Sequence, residues 1–134
     1  MKQATMKVGG HDFPVHSPSV REYLAIESNK IMLSKGDYGG MCSARTLSSI
    51  LALDLIDMVS VLSVLCPDLE KHPEKGLKTN SILELDMTDV RPIIEAYNVG
   101  AKPFVDGWMK EFRNLLPNPK NDAQSPAPDD GGSK

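Results

Sequence analysis

The sequence predicts a mainly α-helical fold, a small domain of about four helices with a short N-terminal β-hairpin and a disordered C-terminal tail. Three observations lead there. Residues 46–66 hold no Gly, Pro, Lys or Arg and are closed by Pro67, so one helix of about six turns fits at 3.6 residues per turn. Downstream, Val90, Ile93, Ile94 and Tyr97, then Ala101, Phe104, Val105, Trp108, Phe112 and Leu115, recur at the spacing of a helix face. After Leu116 the chain turns to Pro, Asn, Asp, Ser and Gly, which bury too little apolar area to offset the entropy of ordering. With 134 residues, 40% hydrophobic and 25% charged, there is material for one core in residues 1–116 and a flexible tail in 117–134.

The elements follow in order. Residues 2–8 alternate weakly, Gly9-Gly10 is a two-residue turn signal, and His11 to Val15 continue as a second strand. Pro14 restricts that strand to an edge. Ser17-Pro18 has the form of a helix start, Ser as N-cap and Pro in the first turn, with Val20, Tyr23, Leu24 and Ile31 on one face and Gly36 as the stop. Gly36, Gly39 and Gly40 make a loop, after which a second helix is expected to begin near residues 41–43.

In the long run, Ala44, Leu47, Leu51, Leu55, Met58, Leu62 and Leu65 form a continuous core stripe, while Ile50, Leu53, Val61 and Val64 line a different side. Residues 68–79, with Pro73 and Gly76, read as an exposed connector leading to a short docking segment at 82–85. Thr88 is a candidate N-cap for the next helix, Pro92 limits how far upstream that helix starts, and Asn98 and Gly100 end it. Pro103 falls in the first turn of the last helix, where its missing N–H does no harm.

Chemistry is sparse along this chain. The net charge is −3 and the basic residues are scattered singly, so no row of phosphates would be neutralised and nucleic acid is not an expected partner. The N-terminus has no apolar stretch of signal-peptide length, which points to the cytoplasm, and Cys42 and Cys66 are read there as reduced thiols. Membrane spanning by the long helix is disfavoured because Asp54 and Asp57 would each cost about 2.5–3.5 kcal/mol at a bilayer centre.

Asp54 and Asp57 have no third carboxylate, His or Cys at helical spacing to complete an acid–base or metal site. His11, His16 and His72 do not pair with the cysteines as zinc ligands do. No nucleophile elbow, Walker lysine or dinucleotide fingerprint occurs. The expectation is a protein with no catalytic residue, no metal and no cofactor, which is not an enzyme. What remains informative is surplus apolar surface, so Ile50, Leu53, Val61 and Val64 are the candidate protein-binding residues, for a partner or for a homo-oligomer.

In layout the chain resembles the tail assembly chaperones of long-tailed bacteriophages. The likeness runs from about Phe13 to Trp108: a short β element, then Val20-Arg21-Glu22-Tyr23-Leu24-Ala25-Ile26-Glu27, then Leu33-Ser34-Lys35-Gly36-Asp37-Tyr38. An apolar helix ending in Leu65-Cys66-Pro67-Asp68-Leu69 follows, then Leu83-Glu84-Leu85-Asp86, Ile93-Ile94-Glu95-Ala96-Tyr97 and a tryptophan-bearing helix. The resemblance implies a non-catalytic protein of the infected host cytoplasm. Such a protein binds the aggregation-prone tape measure protein and helps recruit tail tube subunits during tail morphogenesis. It also implies that apolar helices are shielded by apolar grooves. The alternative is a small structural tail or baseplate subunit that oligomerises through its apolar central helix.

Overall fold

The computed structural model describes residues 3–71 and 82–115; residues 72–79 of the expected connector, His72 among them, and the tail lie outside these. The architecture is mainly helical behind an N-terminal hairpin, as expected. The chain divides into two compact units, Met1–Phe104 and Val105–Lys134.

In the first unit β1 (Gln3–Val8) and β2 (His11–His16) pair antiparallel, with Gln3 opposite His16 and Val8 opposite His11. Gly9 and Gly10 turn the chain at φ of 59° and 80°, positive values that a two-residue hairpin turn requires and glycine supplies. Alternation sends Met6, Val8, Phe13 and Val15 into the core and leaves Lys7 and Asp12 outside, paired at 2.8 Å. A two-stranded sheet is all edge, which is why Pro14 is accommodated opposite Thr5.

Helix α1 (Val20–Leu33) starts later than expected, because Ser19 rather than Ser17 is its cap. Glu22 N–H donates to Ser19 Oγ at 3.2 Å and Ser19 N–H to Glu22 Oε1 at 2.9 Å, a reciprocal capping box. The Ser19 N–H, with His16 at 3.0 Å, holds the Glu22 carboxyl below its ordinary value. The expected inward face is corrected: Val20, Leu24 and Ile31 are exposed, and Ile26 and Lys30 are buried. The buried side is the one that packs on the long helix, where Asn29 Nδ2 donates to Ser60 O and Ser63 Oγ at 3.4 Å.

Gly36 N–H bonds Ile31 O at 2.8 Å and Lys35 N–H bonds Met32 O at 3.2 Å, with both residues left-handed at φ of 81° and 56°. This double closure ends α1. Helix α2 (Tyr38–Ala44) then begins earlier than the sequence suggests and takes Gly39 and Gly40 inside it. At Gly40 the exposed Asp37 carboxylate lies where a Cβ would stand. Arg45, left-handed at φ 55°, breaks α2 from α3 (Leu47–Leu65). Thr46 and Ser49 cap α3 reciprocally, Ser49 N–H to Thr46 Oγ1 and Thr46 N–H to Ser49 Oγ, each at 3.1 Å. Pro67 stops α3 as expected, and a short α4 (Asp68–Lys71) follows.

A single 3₁₀ turn, Ile82–Glu84, buries Ile82 and leads to α5 (Met87–Ala96). The cap is Asp86, not Thr88: Thr88 N–H and Oγ1 both donate to its carboxylate, at 2.9 and 2.7 Å. The helix therefore starts well upstream of Pro92, which sits inside it. Nor do Asn98 and Gly100 terminate it. A π-helical turn, Tyr97–Ala101, carries α5 straight into α6 (Lys102–Leu115). The wider turn falls just ahead of Pro103, where the missing N–H and the ring would otherwise disturb the ladder. In the second unit, Trp108 and Phe112 meet along α6 with ring centroids 5.3 Å apart and planes tilted by 43°.

Candidate functional site

Exposure on α3 changes along the axis rather than around it. In the first half Leu47, Ile50 and Leu51 are 73%, 47% and 55% exposed, and in the second half Met58, Val61 and Leu62 are at 2% or less. These positions share one face by their steps of three and four, so the face buried at one end runs out into solvent at the other.

The two sides read from the sequence are corrected accordingly. Of the expected core stripe, Met58, Leu62 and Leu65 are buried, Leu55 is half-buried, and Ala44, Leu47 and Leu51 lie at the surface. Of the expected binding residues, Ile50 is exposed, Leu53 and Val64 are half-buried, and Val61 belongs to the core.

The cause lies in the neighbours. The second half of α3 is met by α1, whose Asn29 reaches Ser60 and Ser63, and α3 also packs against β2 and the 82–84 turn. Beside the first half the chain places α2, seven residues of which four are Gly39, Gly40, Ser43 and Ala44, too small to cover leucines. Those small residues were the signal in the sequence that Leu47 and Leu51 would stay uncovered. Asp54, exposed, completes the same face one turn on from Ile50 and Leu51. The arrangement is an apolar patch with a carboxylate at its margin, suited to an apolar helix carrying a cation.

A polar cluster ties α2 to α1 and α3. Tyr38 Oη donates to Asp57 Oδ1 at 2.6 Å. The Lys30 ammonium lies 5.6 Å from the centre of the Tyr38 ring and 3.1 Å from Glu27 Oε2. Burial and the Asp57 carboxylate push the Tyr38 hydroxyl far up, so it stays a donor. Burial also raises Asp57 above its ordinary value, against the pull of Tyr38 and Lys30. Asp54 and Asp57 thus part company, one exposed and one engaged in packing.

Among the described residues no group of three or more His, Cys, Asp and Glu is placed to hold a metal. Cys42 is exposed and Cys66 buried, and no disulfide joins the two. An open groove of about 740 Å³ runs between β1 and α5, lined by Thr5, Lys7, Asp12, Pro92, Glu95 and Val99. Helix α3 is long and apolar enough to cross a membrane by length and composition alone, a test that core helices of soluble proteins also pass. No family model, no curated protein and no solved structure matches the chain, which leaves the uncovered end of α3 and the cluster beneath α2 as the features on which a function can be built.

Proposed function

We propose that this chain is a non-catalytic tail assembly chaperone of a long-tailed bacteriophage, acting in the host cytoplasm. It binds the tape measure protein and helps bring tail tube subunits to it. The observation that carries the reading is the uncovered apolar end of α3, Leu47, Ile50 and Leu51 with Asp54 beside them. An apolar segment of a client helix that would otherwise aggregate finds there a surface of matching character. The layout of the chain resembles that family, and the patch offers a means.

The test is co-expression with the tape measure protein of the same genome, scored as the soluble fraction of that protein. The chain should raise it, and Leu47→Asp with Leu51→Asp should abolish the effect while circular dichroism stays unchanged. A tape measure protein equally insoluble with and without the chain would overturn the reading. Recovery of the chain as a stoichiometric part of purified particles would also overturn it, in favour of a structural subunit.

A further inference from the structure

Helix α2 has none of the features that hold a helix in place by itself. Seven residues are too few for independent stability. Its N-cap residue Asp37 makes no side-chain capping bond, no acidic residue sits in its first turn, and no basic residue sits in its last. None of its residues is buried.

At both ends the chain is left-handed, at Lys35 and Gly36 before α2 and at Arg45 after it. Arg is not a residue that favours such a conformation, so the Arg45 end carries a backbone cost, whereas Lys35 and Gly36 are held by their bonds to Met32 O and Ile31 O as the closure of α1. Against this stand the half-buried Met41 and one polar anchor, Tyr38, whose hydroxyl is bonded to Asp57 and whose ring lies under the Lys30 ammonium.

We propose that α2 is a latched cover, a local unit that opens from α3 as a whole when the Tyr38–Asp57 hydrogen bond is lost, while α1 and the second half of α3 remain folded. Opening returns Lys30 and Asp57 to water and lengthens the uncovered part of α3 beyond Leu51. The cover stands on geometry alone; that it sets how much surface a client meets rests on the docking role proposed above.

Native-state hydrogen exchange on the full chain tests it. In the unsubstituted protein, amides of residues 38–44 should exchange faster than those of 58–65. Tyr38→Phe keeps the ring and removes one bond to a charged acceptor, and should speed exchange in 38–44 about ten-fold with α1 and 58–65 unchanged. Tyr38→Ala removes the anchor and should abolish protection in 38–44 alone.

A uniform acceleration across α1 and α3, or none anywhere, would overturn the cover, as would global unfolding of Tyr38→Ala. A chain that exchanges as expected but leaves the tape measure protein insoluble would uphold the cover and defeat the docking role, so the two fail separately.

Discussion

A methyl group on residue 100 would stand 2.6 Å from the carbonyl oxygen of Thr5 and 3.3 Å from the Cα of Met6. Both are backbone atoms of a strand held in its ladder, so neither can yield without moving β1. Gly100→Ala is expected to lower stability by about 1–3 kcal/mol, read as a fall in the thermal midpoint by circular dichroism; an unchanged midpoint would mean that the π turn relaxes around the methyl. Spacing along the chain makes Gly100 look like a helix stop, because a close approach between segments so distant in sequence leaves no local trace. Asp57 bears on pH. Its carboxyl is raised by burial, so the folded chain holds that proton more tightly than the unfolded chain does, and the stability it contributes is complete below the ordinary carboxylate value and lost as pH rises through the raised one. Asp57→Asn keeps an acceptor for Tyr38 and should flatten the dependence of urea midpoints on pH in the weakly acidic range. A curve parallel to that of the unsubstituted protein would place the titration elsewhere.

At the scale of the element, α3 has one composition and two environments. A charge at Val61 would enter a site that is 2% exposed and should cost at least about 3 kcal/mol, enough to unfold a marginal domain. A charge at Leu47 meets water, and Leu47→Asp should stay within about 0.5 kcal/mol of the parent. Urea denaturation compares the two, and equal losses would mean that both halves of the helix are core. The body and end of α3 were legible because their signals are local, a run free of breakers and Pro67; its start was not, since a helix expected from residues 41–43 with Ala44 on its stripe is broken at Arg45. Its division was not, because burial depends on what the chain lays alongside. Glycine misled in the same way at Gly39 and Gly40, which read as loop yet sit inside α2; the Asp37 carboxylate lies where a side chain would start at Gly40, and the space at Gly39 is open.

For the molecule as a whole, architecture was readable and orientation was not. The hairpin follows from Gly9-Gly10 and alternation, and the helical class follows from apolar steps of three and four, all signals confined to a few neighbouring residues. Which side of α1 faces inward is another matter, since Val20, Leu24 and Ile31 form as good an apolar stripe as any and yet are exposed, while Lys30 is buried beside Tyr38 and Glu27. Periodicity finds a helix and cannot say which side is covered when both sides carry apolar groups. The joint between α5 and α6 was hidden for a related reason: Asn98 and Gly100 are stop signals by type and Pro103 reads as a fresh start, yet a single wider turn takes in Asn98 and Gly100 and runs on into α6.

The reciprocal cap at Thr46 and Ser49 has a thermodynamic bearing on recognition. It keeps the uncovered end of α3 helical although almost nothing packs on it, so a partner arriving at Leu47, Ile50 and Leu51 meets a surface already in its bound conformation. Fixing the backbone of each residue in a flexible segment opposes association by about 1–2 kcal/mol, and here that ordering is completed when the chain folds. On the docking role proposed above, binding at this end of α3 would be limited by the flexibility of the partner rather than of the helix that receives it.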